Sequence, residues 1–285
     1  LHITAPPEYH APLGGGIITG IRDVGRESAT LTLSAHVSND DRIPRSFRMK
    51  NTLLDAAGLE VASSLSELTD LDPGQGIRLM TRMIVMQPSL WTPETPFLYT
   101  IRTDLVSESG TVIDRRETRT GIRSVRVTPD KGLMINGNPV RLTGTNRHQE
   151  YPYIGYALSD EASYRDAFKI REAGFNLVRC SHYPPSPAFL DACDEIGLMV
   201  IDAIPGWQFM GDSLFAEAVL RDTRMMCRRD RNHPSVVMWE ASLNETLMPV
   251  SFLNRLHQTV REELPLGNNL TSRCMDTICD IFIPD

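Results

Sequence analysis

Between about Gly14 and Val127, apolar and polar residues alternate with a period of two in ATLTLSAHVSN, SFRMKNTLLDAAG, GIRLMTRMIVMQP, FLYTIRTDLVSESG and GIRSVRVTPDKG, and Gly, Asn, Asp and Pro punctuate the runs. Successive side chains of a strand point to opposite faces, so this alternation predicts half-buried antiparallel strands. Together they fit an immunoglobulin-like β-sandwich. No constellation of His, Cys or carboxylates stands out there, which points to a structural role.

After Gly132 the pattern changes. PVRLTGTN reads as a strand, and SDEASYRDAFKIREAGF as a helix with Ser159 at its N-cap, Asp160 and Glu161 in its first turn and Gly174 at its end. Tyr164, Ala167 and Phe168 fall at i, i+3 and i+4 and define its expected apolar face. The alternation continues through strand NLVRCSH, helix SPAFLDACDEIG, strand LMVIDAI, helix SLFAEAVLRDTRMMCRRD, strand SVVMWEAS, helix VSFLNRLHQTVREEL and a fifth strand in NLTSRCM. Apolar strands alternating with helices imply a parallel sheet covered by helices, in a barrel or a doubly wound sheet. Asn146, Arg147 and His148 follow the first strand, His182 and Tyr183 the second; Asp202 lies within the third, and Asn244 with Glu245 closes the fourth. Polar residues at the carboxyl ends of successive strands favour the catalytic face of a TIM barrel. The first turn, GTNRH, lacks the glycine-rich pattern of a nucleotide-binding sheet. The expected fold class is therefore multidomain β plus α/β: an immunoglobulin-like sandwich followed by a partial (β/α)8 TIM barrel.

Composition removes several classes. Hydrophobic residues make up 41% and charged residues 23% of 285 residues, and no apolar run approaches the ~20 residues of a spanning helix. The net charge of −7 disfavours nucleic acid as a partner. The basic run Arg224, Arg228, Arg229 and Arg231 reads as helix C-terminal charge paired with Asp222 and Asp230. Cys180, Cys193, Cys227, Cys274 and Cys279 lack CxxC spacing and are expected to be reduced, mostly buried small residues. The chain opens LHITAPPEYH, without Met or the regions of a signal peptide, and reads as a cut.

The candidate chemistry centres on Glu245, with Glu240 as a competing acid. Trp239, upstream on the same strand, could supply an apolar wall beside Glu245. His148 and His182 could point into one pocket and donate to hydroxyls, or could be ordinary core or loop histidines. No HxxxH or HExxH pair favours a metal. Trp207 and Phe209, in the loop IPGWQFMG, could stack on the apolar face of a sugar or simply pack beneath the loop.

The segments NRHQEYPYIGYALSD, NLVRCSHYPPSPAFLDACDEIGLMVID, RRDRNHPSVVMW and SLNE, in this order, resemble family 2 glycoside hydrolases, the group of β-galactosidases, β-glucuronidases and β-mannosidases. The resemblance implies residues 1–12 as the tail of a sugar-binding jelly-roll domain, 13–128 as the immunoglobulin-like sandwich and 129–285 as the N-terminal half of the catalytic barrel. It implies Glu245 as general acid/base and Asn244 as partner of the sugar 2-hydroxyl. It places His148 and His182 on the glycosyl unit and Arg179 near the nucleophilic carboxylate. The chemistry implied is retaining hydrolysis of a β-linked glycoside, most simply by an exo-acting β-galactosidase, without a cofactor.

Two departures stand out. DAIPGWQFMGD lacks the Glu and His of the magnesium-binding IETHG-like motif, so no metal is expected at that place. MWEASLNE holds one more residue between Trp239 and Asn244 than the WSLGNE pattern. A β-glucuronidase or other family 2 specificity is the next reading, and a non-catalytic carbohydrate-binding module on a degenerate barrel is the alternative of another class. The resemblance puts the nucleophile on a later strand, outside this chain; Asp276, Asp280 and Asp285 follow no recognisable later strand, so residues 1–285 alone are expected to be inactive. Homo-oligomerisation is compatible with this reading, as are a bacterial cytoplasmic or periplasmic location.

Overall fold

The computed structural model describes residues 1–6, 13–273 and 279–282. Two compact units emerge: Leu1–Leu90 with Phe97–Ile122, and Trp91–Pro96 with Arg123–Asp285.

Among the described residues the first unit holds nine strands: β1 (His2–Ile3), β2 (Ile17–Arg22), β3 (Ser28–Ser38), β4 (Arg45–Leu54), β5 (Glu60–Leu65), β6 (Thr69–Leu71), β7 (Gly76–Met86), β8 (Tyr99–Val106) and β9 (Val112–Thr120). Strand β3 pairs with β1, β2 and β7 in one sheet, while β5, β4, β8 and β9 follow in order in the other, with β6 on β4. All these pairings are antiparallel. The expected alternation is plain in β7, where Thr81, Met83 and Val85 are buried and Met80, Arg82, Ile84 and Met86 are exposed. Leu31, Leu33, Met83 and Val85 meet Leu53, Tyr99, Ile101 and Ile122 in one core cluster. The sequence pattern did not single out β2, β5 or β9. Strand β9, VIDRRETRT, has no apolar stripe, and eight of its nine residues are exposed or half-buried. Backbone pairing to β8 and the fork of Arg115 on Asp104, at 2.6 and 3.0 Å, hold it instead.

The second unit opens with the meander β10 (Val125–Thr128), β11 (Gly132–Ile135) and β12 (Asn138–Pro139). It continues through β13 (Gly144–Arg147), α1 (Asp160–Glu172), β14 (Leu177–Cys180), α2 (Pro187–Ile196), β15 (Met199–Ala203), α3 (Ser213–Asp230), β16 (Val236–Glu240) and α4 (Val250–Glu263). The strands β13, β14, β15 and β16 pair in sequence order and in parallel, as barrel strands do. The fifth strand follows: Trp239 N donates to Leu270 O at 2.9 Å and Trp239 bridges Thr271 in parallel. It continues as β17 (Ser272–Arg273), which pairs in parallel with β18 (Ile281–Phe282), one strand beyond the expected fifth.

Local signals explain the helix ends. Ser159 Oγ accepts from Ala162 N at the start of α1, Asp212 accepts from Phe215 N at the start of α3, and Gly197 takes the left-handed conformation that ends α2. The face of α1 differs from the expected one. Ser163 and Ala167 are buried, whereas Phe168 is 61% exposed and Tyr164 lies largely at the surface. Small residues bring α1 close to its neighbours, and the large aromatics stay outside. Val178, Val200 and Val236 from the sheet meet Phe189, Leu190, Cys193, Leu220, Leu253 and Leu256 in the core.

The basic run of α3 is also more interior than expected. Arg228 forks onto Glu263 of α4 at 2.8 and 2.7 Å, and both are buried; Arg229 pairs with Asp230, while Asp222 takes Arg221. Cys180, Cys193 and Cys227 are free and buried, and burial pushes their thiols well up. Cys279 is half-buried and its thiol donates to Ile281 O at 3.0 Å, while Cys274, Asp276 and Asp285 lie outside the described residues. Among the described residues no helix is long and apolar enough to cross a membrane.

Candidate active site

The carboxyl ends of β13 to β16 gather most of the polar residues singled out in the sequence. Arg147 ends β13 but turns inward: its guanidinium holds Asp166 of α1 at 3.2 and 2.9 Å and lies 4.0 Å over the Phe189 ring. His148, the next residue, is exposed, and its ring meets that of His182 edge-on at 5.6 Å. His182 follows β14, and its ring lies 6.1 Å from that of Trp207 in the loop after β15. Three rings thus stand in a row across three strand ends. Tyr183 is beside His148, at 6.3 Å between rings, and its hydroxyl accepts from Gln149 N at 2.8 Å.

The backbone fixes the loop after β15 on both sides. Gly206 N donates to His182 O at 3.0 Å, Asn244 N to Gly206 O at 3.3 Å, and Gln208 N to Asn244 O at 3.0 Å. Trp207 and Asn244 therefore form a short parallel bridge. Trp207 is 53% exposed beside His182. Phe209 is exposed too, but its ring packs edge-on against Phe215 at 5.1 Å, so its place is under α3's first turn.

Glu240 and Glu245 are separated sharply. Glu240 ends β16 in the interior, where Arg179 Nε and Nη2 fork onto its two oxygens, each at 2.6 Å. Nη2 also donates to Asn244 Oδ1 at 2.8 Å. This bond orients the Asn244 amide, whose Nδ2 lies 3.2 Å from His182 Nε2. Asn244 is buried, whereas Glu245, the next residue, is exposed with a left-handed backbone at φ 48°. That reversal sends neighbouring side chains to opposite sides. Glu245 Oε2 accepts a bond from Gln208 Nε2. Trp239 does not wall this carboxylate: its ring belongs to the core and its Nε1 donates to Asn268 O at 2.8 Å.

Asp202 of β15 stays out of the site. It is fully buried, and burial, followed by the charge of the nearby Asp230 carboxylate, holds its acid well above the usual carboxylate range. Among the described residues one group, Asp191, Asp194 and His233, brings three metal-capable atoms within 4.8 Å of one another. Asp194 is already engaged there: Oδ1 accepts from Ser235 N at 2.9 Å and Oγ at 2.6 Å, and Oδ2 lies 2.6 Å from His233 Nδ1. The trio reads as a bracket between α2 and the loop before β16. Sequence reasoning missed Gln208, for which its place in a loop after a barrel strand was the sole signal, and Asp230 as partner of Asp202.

Residues 17–123 match the profile described as glycosyl hydrolases family 2, and residues 125–263 that of the glycosyl hydrolases family 2 TIM barrel domain. The β-galactosidase of Thermoanaerobacter pseudethanolicus is 38% identical over 215 residues, covering 72% of this chain and 29% of that protein. The β-galactosidase BoGH2A of Bacteroides ovatus is 33% identical over 240 residues, covering 82% and 28%. A structure of Bacteroides uniformis β-glucuronidase 2, covalently bound to cyclophellitol-6-carboxylate aziridine, superposes with a TM-score of 0.86 at 28% identity, covering 96% of this chain and 34% of that one. The chain thus spans about a third of the length of the curated relatives it matches. With both profiles in order along one chain, the chain belongs to glycosyl hydrolase family 2.

Proposed function

We propose that this chain supplies the acid/base half of a retaining exo-β-glycosidase site, with a β-galactoside as the substrate class. The observation that carries the reading is the contrast at the end of β16: Glu240 is fixed in a buried fork with Arg179, while Glu245 is exposed beside Asn244, His182 and the Gln208 loop. A general acid must reach the departing oxygen, and an acid locked inside cannot. Glu245 protonates the glycosidic oxygen as the bond to the anomeric carbon breaks, then as carboxylate takes a proton from the water that releases the sugar. Arg179 and Glu240 act from beneath, through Asn244. Because Asn244 Oδ1 is held by Arg179, its Nδ2 hydrogens are turned to the His182 side, where a sugar hydroxyl adjacent to the reacting carbon is received. His148 and His182 bind further hydroxyls, and Trp207 stacks on the sugar face.

The retaining step needs a second carboxylate about 5–5.5 Å from the first. We assign it to a later strand of the barrel, so residues 1–285 alone are expected to be inactive. A relative found covalently bound to a cyclophellitol derivative supports a nucleophilic mechanism in this family. Curated relatives named β-galactosidase favour that glycone, while solved relatives named β-glucuronidase make glucuronides the second reading. The test is a panel of chromogenic β-glycosides on the full protein that carries this chain. Turnover of a galactoside over a glucuronide supports the first reading, the reverse supports the second, and silence toward every glycoside would leave a sugar-binding role.

A further inference from the structure

We propose that Gln208 is a positioning residue for the Glu245 carboxylate, holding it at the site in both protonation states; this rests on the reading of Glu245 as the acid/base. Three observations meet here. The Gln208 side-chain amide donates to Glu245 Oε2, while its backbone N donates to Asn244 O at 3.0 Å, so one residue grips both members of the Asn244–Glu245 pair. Gln208 and Glu245 both have left-handed backbones, at φ 55° and 48°, a region that residues other than glycine rarely enter. Both side chains are exposed. Burial therefore does not account for the pairing, and a hydrogen bond at the surface adds little to folding. Two unfavourable backbone conformations that face one another and end in a single bond point to the placement of that carboxylate.

A neutral amide suits a group that must change charge. Glu245 has to be protonated when the leaving oxygen departs and ionised when water attacks. An N–H donor can bond a carboxylate oxygen, and can equally bond the carbonyl oxygen of the protonated acid. A cation in its place would favour the ionised form alone. The arrangement thus keeps Glu245 in one place through both halves of the cycle. The exposed Trp207 indole, one residue earlier on the same bridged loop, ties sugar stacking to this placement.

The experiment uses the full protein that carries this chain, with Gln208→Met, similar in length but without a donor, and Gln208→Gly, which removes the side chain while relieving the left-handed backbone. On alkyl glycosides, whose departure needs a proton, kcat is expected to fall roughly 10–100-fold in both variants, the scale of a small misplacement of a reacting group. On an activated aryl glycoside kcat/KM should stay within about twofold, because that leaving group departs without acid assistance, while kcat and KM fall together, because Glu245 is still needed as base for the water that releases the sugar. In a Glu245→Gln background neither substitution should reduce kcat further, since the two residues act as one unit. Equal losses of kcat/KM on both substrates, a rise in KM alone, or losses that multiply with Glu245→Gln would overturn the proposal. If Glu245→Gln itself spares alkyl glycosides, the acid/base reading fails first, and that result is separate from anything Gln208 does. Melting temperature, measured on each variant, distinguishes misfolding from mispositioning: loss of kcat with the parent melting temperature supports the proposal, and loss that tracks unfolding counts against it.

Discussion

In the sandwich, buried polar groups close on one another; at the strand ends of the second unit, they lead outward. Asn51 shows the first behaviour: its amide donates to Thr81 Oγ1 at 2.9 Å and accepts from Thr103 Oγ1 at 2.5 Å, and Ser64 Oγ donates to Thr81 Oγ1 at 2.9 Å, so three strands of one sheet and one of the other share a network that returns on itself. Arg179 shows the second. It satisfies Glu240 inside and then passes a bond to Asn244, whose neighbour Glu245 is in solvent. Similar chemical groups give specificity of packing in one place and a poised carboxylate in the other. The difference lies in where the network ends.

Breaking the open end should have the largest effect. Glu245→Gln in the full protein is expected to slow hydrolysis of glycosides with poor leaving groups by roughly 10²–10⁴-fold, with activated aryl glycosides much less affected. Steady-state kinetics on both classes check this, and equal, small effects would move the role to another acid. Next comes the buried end. Arg179→Met leaves the Glu240 carboxylate inside without its forked partner and should cost about 3–5 kcal/mol of stability in denaturant titrations. A stable, fully active variant would show that the fork neither supports the sheet nor orients Asn244.

A smaller effect separates Asp202 from the carboxylates proposed for catalysis. Its folded acid is raised above the unfolded value, so the stability it contributes is fully present below pH ~3.9 and is lost as pH rises toward its folded value. Within that window the loss approaches about 1.4 kcal/mol per pH unit for a single proton. Asp202→Asn removes this slope, so its stability relative to the parent should improve as pH rises from 4.5 to 8 in denaturant titrations. Parallel pH profiles for the two proteins would contradict the assignment. The smallest expected effect is none: with no Glu–His pair in the loop after Asp202, EDTA should leave glycosidase activity intact. Inactivation restored by magnesium would place a cation where only Gln208 is assigned.

How much of this was legible beforehand depended on the physical signal. Helix caps at Ser159 and Gly197, and the apolar strands β14, β15 and β16, announce themselves because local chemistry and burial on both faces decide them. Strand β9 was hidden because its backbone partner, rather than a hydrophobic stripe, holds it. Phe168 misled because helical spacing says which residues share a face but not which face is covered. At the site, Glu245, Asn244, His148 and His182 stood out as strand-end residues, and Trp207 as an aromatic of the loop after the third strand. The fork between Arg179 and Glu240 was not, since the two are 61 residues apart and pairing across parallel strands leaves no local trace. Gln208 was silent for a related reason: a loop glutamine has no periodicity to betray it.

Trp91 gives the fold a timetable. Its ring is fully buried and its Nε1 donates to Asp194 O at 2.9 Å, across 103 residues of sequence. At a synthesis rate of about 5–20 residues per second, the indole waits about 5–20 s between its own appearance and that of its acceptor. The strands that flank it, β7 and β8, have all their partners long before then, because β9 ends at Thr120. A newborn chain therefore carries the strands of the sandwich while a large apolar side chain beside them still waits for its acceptor.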